Sequence, residues 1–156
     1  MKNILFLTML LFVNCLVIAQ ENNSISSSLL TINEKKYIGE SESYLIKSLG
    51  KPSSKENYFF EMDDQHAVKY KYNGIVFYVI EGIINSFEIT SNSFEFINPD
   101  IKIGSSVNML KKHYPLSFNN RSTRQEGIIL TLTDLDKFVV FEWNYWRISK
   151  IYVLDY

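Results

Sequence analysis

The sequence predicts an α+β fold: two tandem helix–β-meander repeats whose strands form one antiparallel sheet, with the helices packed on one face. Three observations carry this. A thirteen-residue segment recurs 65 residues later, and each copy has the form of a capped helix. Behind each copy, short β-branched and aromatic runs are separated by hairpin-turn residues. The residues alternating along those runs sort into one apolar set and one mixed set, as in a sheet covered on one side.

The N-terminus comes first. Lys2 is followed by an apolar run from Ile4 to Val13, then Leu16 to Ala19, and then by polar Gln20-Glu21-Asn22-Asn23. A positive start, a short apolar segment and compact residues before a cut define a secretory leader. Residues 1–19 are therefore expected to be removed, with Val17 and Ala19 at −3 and −1 and Gln20 as the new first residue. A bilayer span needs about 20 apolar residues, and Asn14 interrupts this run, so no membrane span is expected. Cys15 supplies a rival reading as an acylated lipoprotein anchor. Phe12-Val13-Asn14 before it are poor lipobox residues, and Leu16-Val17-Ile18 after it are apolar where a tether is polar.

Cleavage removes the single cysteine, and with it disulfides, thiolate catalysis and zinc–thiolate ligation. The remaining chain of about 137 residues suits one domain. The full sequence is 46% hydrophobic and 15% aromatic, an ample supply for a fold held together by its core alone. The net charge of −1 becomes −2 once Lys2 leaves, which argues against nucleic acid as a partner. The expected setting is the periplasm or the extracellular medium.

Residues 20–36 begin polar and aperiodic (QENNSISSS) and read as a flexible lead. Repeat 1 follows over residues 37–98 and repeat 2 over residues 99–156. Ile38-Gly39-Glu40-Ser41 returns as Ile103-Gly104-Ser105-Ser106, and in that register Leu45 meets Leu110 and Lys47 meets Lys112. Ser41 and Ser105 or Ser106 are suitable N-caps, because a hydroxyl accepts from an orphan N–H of the first turn. Leu45 and Leu49, then Val107, Leu110 and Tyr114, follow at helical spacing. Gly50 and Pro52 stop the first helix, and Pro115 stops the second.

Strands are expected at His66–Tyr72 and Gly127–Thr133, then in two hairpins offset by 64. Ile75-Val76-Phe77 matches Val139-Val140-Phe141, and Ile84–Ile89 matches Ile148–Val153. Asn73-Gly74, Glu81-Gly82 and Asn144 mark turns.

An Ile-Gly-x-Ser helix start, a proline-marked helix stop such as Leu49-Gly50-Lys51-Pro52, and a following β-meander, each met twice, resemble the β-lactamase-inhibitor-protein-like tandem repeat. The single unit resembles the small lipoproteins of outer-membrane assembly. The resemblance spans roughly Tyr37 to Asp155. It implies the fold above and a habit of binding proteins on the sheet face. Fold alone does not carry function, and the disulfides of those inhibitors have no counterpart here.

Chemistry is sparse. No Gly-x-Ser-x-Gly elbow and no glycine-rich phosphate cradle occurs. His113 stands at a helix C-terminus, where the dipole favours a cation. His66 follows Glu61, Asp63 and Asp64, but the spacing is neither a calcium loop nor a paired-histidine site, so a solvated acidic loop is expected. Arg121 and Arg124 flank a polar loop read as exposed. No metal, cofactor or enzymatic activity is expected.

The positive hint is aromatic. Ile75, Phe77, Val79, Phe87 and Ile89, with Val139, Phe141, Trp143, Ile151 and Val153, form the apolar face under the helices. Strict alternation puts Tyr78, Ile84, Ser86, Glu88, Glu142, Ile148, Lys150 and Tyr152 on the other. Tyr145 and Trp146 occupy the last hairpin turn. Mixed tyrosines and charges suit a protein interface, and Tyr and Trp are preferred anchors. The candidate protein-binding residues are therefore Tyr78, Glu88, Glu142, Tyr145, Trp146, Lys150 and Tyr152. The expected function is an exported protein-binding module of inhibitor or toxin-immunity type. A cell-envelope assembly or scaffolding lipoprotein, tethered through Cys15, is the alternative.

Overall fold

Gly39 and Gly104 each turn the chain with a positive φ, of 84° and 87°, a region open to glycine at no steric cost. Both are followed by a helix. After Gly39, Ser41 is extended and its hydroxyl accepts the N–H of Tyr44 at 3.2 Å, starting α1 (Glu42–Leu49). After Gly104, the Ser106 hydroxyl meets the N–H of Asn108 at 3.3 Å just before α2 (Asn108–His113), but the N-cap position is Val107, already helical and without a side-chain cap, rather than Ser105 or Ser106 as expected. Pro115 ends α2 and also opens a second short helix, α3 (Pro115–Asn120). A proline at N1 lacks a donor that the first turn leaves unpaired anyway, so one residue serves as stop and start. The sequence signals only the stop.

The computed structural model describes residues 22–61, 63–97, 101–121 and 126–155. The expected leader with Cys15, the expected new terminus Gln20, and Arg124 lie outside them.

In chain order the strands are β1 (Ser24–Ile25), β2 (Thr31–Ile32), β3 (Lys35–Lys36), β4 (Ser54–Phe60), β5 (Gln65–Tyr72), β6 (Ile75–Ile80), β7 (Ile83–Ile89), β8 (Gly127–Leu132), β9 (Lys137–Asn144) and β10 (Arg147–Asp155). β2 and β3 make a small hairpin. The other eight form one sheet in the order β1-β8-β9-β10-β7-β6-β5-β4. The fold is α+β, and its sheet is mixed rather than wholly antiparallel, because β1 runs parallel to β8. The two meanders meet at β7 and β10, where Ile89 faces Ile151 and Glu88 faces Tyr152.

The lead expected to be flexible is built into the fold from residue 22 onward. Thr131 and Thr133 donate to the carbonyls of Asn23 and Ile25. Asn23 and Ser117 exchange hydrogen bonds, and Asp134 accepts from the N–H and hydroxyl of Ser27. Leu30 and Ile32 are buried in the core. Apolar burial and side-chain bonds hold a segment whose polar composition reads as loop.

The two helix starts are tied to the two late hairpins by a recurring set of bonds. Gly39 donates to Ile84 and Ile84 to Glu40; Gly104 donates to Ile148 and Ile148 to Ser105, at 2.7–3.0 Å. Glu42 donates to the carbonyl of Gly82, as Val107 does to that of Trp146. Leu45, Leu110 and Phe118 from the helices pack into one core with the inward residues of the strands. A chain of ring contacts, Tyr37–Phe77–Phe87–Phe96–Phe141–Tyr114, crosses it from one half to the other at 5.1–6.1 Å.

The faces hold with one correction. Ile84 and Ile148, placed on the open face by strict alternation, are buried in the core. The pairing slips by one residue between Tyr78 and Val79 opposite Ser86 and Ile84, and again between Ile148 and Lys150. Asn85 and Ser149 are thus the extra residues of two β-bulges, and each bulge resets which way its neighbours point.

Candidate functional site

Among the described residues no helix covers the open face, which carries two groups of side chains. At its centre, β9, β10 and β7 bring together Glu142, Lys150, Tyr152 and Glu88, four of the residues singled out from sequence. Tyr152 donates its hydroxyl to Glu142 Oε1 at 2.7 Å. Lys150 Nζ stands 3.7 Å from Glu88 and 4.0 Å from Glu142, and 5.2 Å from the Tyr152 ring centroid. All four are half-buried. Burial, then the bond to Glu142, raises the Tyr152 phenol above its ordinary range.

The second group surrounds Tyr78. Its ring centroid lies 5.0 Å from Tyr58 and 5.4 Å from Phe60, and Lys69 Nζ lies 5.5 Å from both tyrosine rings. Burial, then the carboxylate of Glu88, pushes the Tyr78 phenol up to about 12. Tyr58 and Phe60 were missed from sequence because β4 reads as loop, with the run Tyr58-Phe59-Phe60 the signal available; Lys69 lies on β5, a strand the sequence does mark, and was missed because no face was assigned along it. Two shallow grooves lie along this face. One, of about 560 Å³, is lined by Ile129, Val140, Glu142 and Tyr152. The other, of about 590 Å³, is lined by Tyr58, Phe60, Ser86 and Leu154.

Tyr145 and Trp146 are at the β9–β10 turn as expected, 89% and 69% exposed. Both have positive φ, 48° and 63°. A two-residue turn of this kind matches the twist of its strands but asks for Asn-Gly or Asp-Gly, since φ is positive at both positions. The β6–β7 turn meets the same demand with Glu81 and Gly82, at 50° and 81°. The last hairpin meets it with two of the largest side chains. Its base is fixed: Val107 donates to the Trp146 carbonyl at 3.1 Å, and Arg147 donates to the Gly104 carbonyl at 2.9 Å. Lys150 pairs with Glu142 on β9, three residues before Tyr145, so the tip lies about 10 Å along the sheet from it at roughly 3.3 Å per residue. Tyr78, the central cluster and the tip therefore line one side and one end of the sheet.

Other singled-out residues fall elsewhere. His66 is exposed on β5 beside the Phe59 ring at 4.8 Å, just after the turn that holds Glu61, Asp63 and Asp64. Among the described residues, no three His, Cys, Asp or Glu side chains converge as metal ligands. His113 is the last residue of α2, as expected, and its Nε2 is buried without a hydrogen-bond partner. Arg121 is not exposed either: its guanidinium stacks 3.7 Å from the Phe118 ring centroid and donates to the Phe118 carbonyl. A planar cation lies readily on an aromatic face, so Arg121 completes the edge of the core.

No family model and no curated protein matches the chain. Among solved structures, it is similar to an extracellular protein containing a SCP domain from Bacillus anthracis str. Ames, known at 1.5 Å resolution. The likeness has a TM-score of 0.51 at 15% identity and covers 86% of this chain but only 47% of that one. At that identity it speaks for the fold alone, and it leaves more than half of the other protein unmatched.

Proposed function

We propose that the chain is an exported protein-binding module that engages another protein through the Tyr145–Trp146 tip and the adjoining open face of its sheet. The observation that carries this reading is the tip itself. Backbone strain of about 1–3 kcal/mol per residue persists where function needs it, and here it holds two exposed aromatic anchors beyond the sheet. Tyr and Trp supply large contact area at small entropic loss. The Tyr–Glu–Lys cluster and the Tyr58–Phe60–Tyr78 group beside it have the aromatic and mixed-charge make-up of an interface.

The recurring bonds at Gly39/Ile84 and Gly104/Ile148 support reading the two halves as tandem copies of one unit. The leader sequence supports export to the periplasm or medium. An inhibitor or toxin-immunity protein is the concrete form of this reading.

The test is capture from envelope and culture-medium extracts on immobilised Gln20–Tyr156, beside the same chain carrying Tyr145→Ala and Trp146→Ala. A protein retained in near-stoichiometric amount by the first and lost from the second supports the proposal. Empty capture across a range of salt concentrations overturns it. Mass spectrometry of the mature N-terminus checks the export route: Gln20 fits this reading, and an acylated Cys15 replaces it with a tethered envelope component.

A further inference from the structure

The sheet ends differently at its two sides. At one, β8 is covered by β1, which adds in parallel and is pinned by Asp134 and Ser117. At the other, β4 pairs with β5 over seven consecutive residues without a bulge, and nothing among the described residues pairs with its outer edge. Its central five residues, Lys55 to Phe59, are all exposed. Edge strands are normally blunted by proline, bulges or outward charges. Here Pro52 precedes the strand, and its two charges are exposed but each is paired within the chain. Lys55 is held by Glu42 at 3.0 Å and Glu56 by Lys71 at 2.8 Å.

The strand is also divided along its length. Ser54, Lys55 and Glu56 are polar; Tyr58, Phe59 and Phe60 are aromatic; Asn57 lies between them. An antiparallel pair about a two-fold axis at Asn57 keeps both sheets facing the same way. It sets Phe59 against Lys55 of the second copy, on the helix side. It also sets Tyr58 against Glu56 of the second copy, on the open side. An ammonium over an aromatic ring and a phenol beside a carboxylate are both favourable, and two-fold symmetry makes each contact twice.

We propose that β4 is the seam of a homodimer, in which two copies join their edge strands antiparallel about Asn57 into one continuous sheet. The seam lies at the far side of the sheet from the Tyr145–Trp146 tip, so it goes beyond the binding role proposed above. It would present two tips per particle, and a bivalent particle gains avidity wherever both can engage.

The test is sedimentation equilibrium of Gln20–Tyr156 from micromolar to millimolar concentration, with amide exchange of β4 followed over the same range. A mass rising from one chain to two is expected, with slower exchange along Lys55–Phe59 at high concentration. Phe59→Lys, which opposes like charges at both ends of the seam, should weaken the dimer about tenfold or more. Adding Lys55→Glu to it should recover much of the loss. A single-chain mass throughout overturns the proposal, as does β4 exchange that ignores concentration. So does a dimer unchanged by Phe59→Lys in a variant that melts like the parent. Partner capture by the Phe59→Lys variant reports separately on the tip, since Phe59 points to the helix side and away from the open face.

Discussion

Tyr152 donates its phenolic hydrogen to Glu142 across the β9–β10 pair, and that bond makes the open face sensitive to alkali. The bond needs the proton, and ionising Tyr152 would leave two anions in contact. The phenol is raised above its unfolded value by burial first and by Glu142 next. Tyr78 is raised to about 12, again by burial first. Tyr37, Tyr72 and Tyr114 move the same way, with burial the leading cause in each. A raised folded pKa means the folded chain keeps protons that the unfolded chain releases. The stabilisation is then complete below about pH 10 and lost as pH climbs through the folded values. Chemical denaturation at stepped pH should show stability flat near neutrality and falling from about pH 10 to 12. Tyr152→Phe, which removes one of these phenols, should flatten that fall; an unaltered slope would show that burial and Glu142 together do not hold the Tyr152 phenol up.

The strained turn predicts a trade between stability and binding. Replacing Tyr145 by Asn and Trp146 by Gly gives the β9–β10 hairpin the residues its positive φ values ask for. The double substitution should stabilise the fold by about 1–3 kcal/mol, seen as a melting temperature several degrees higher. It should also abolish capture of the protein partner. A variant of unchanged or lower stability would mean that the tip stores no strain.

What was legible in the sequence was whatever leaves a local mark. Gly39 with Ser41, and Gly104 with Ser106, announce a turn and a helix start, and both helices begin there. The last hairpin was found because Asn144 ends its first strand and its flanks match those of Glu81-Gly82. The remainder depended on context that no short window contains. β4 lies at the edge with little burial on either face, so it has no apolar alternation to read. β1 is two residues long and exists only because β8 offers an edge. The bulges at Asn85 and Ser149 carry no signature residue, yet each reverses the facing of the isoleucine before it.

Those two isoleucines give the sharpest check on the bulges. Ile84 and Ile148 are 0% and 1% exposed. Truncating either to Ala should cost about 2–5 kcal/mol, as for buried aliphatics generally. Lys150→Ala, on the open face one bulge further along β10, should cost well under 1 kcal/mol, because its ion pairs are long and partly solvated. Urea denaturation of the three variants decides the matter. Equal small losses would restore the uninterrupted alternation and remove the bulges.

The N-terminal strand depends on a carboxylate in the β8–β9 turn. Asp134 accepts from Ser27 N–H at 2.8 Å and from Ser27 Oγ at 2.7 Å, and these bonds hold its carboxyl below the usual range. A lowered folded pKa stabilises above the unfolded value and is lost as pH falls through the folded one, so this latch should weaken only in acid. Asp134→Ala should release β1 without unfolding the sheet, because Leu30 and Ile32 beyond it remain buried. Hydrogen exchange reads this directly. The amides of Thr131 and Thr133, which donate to Asn23 and Ile25, should lose protection in Asp134→Ala at neutral pH and in the parent chain at low pH. The β7 and β10 amides at the centre of the sheet should keep theirs in both. Thr131 and Thr133 amides that stay protected in the variant would mean that the strand is held by its backbone bonds and the Asn23–Ser117 pair alone.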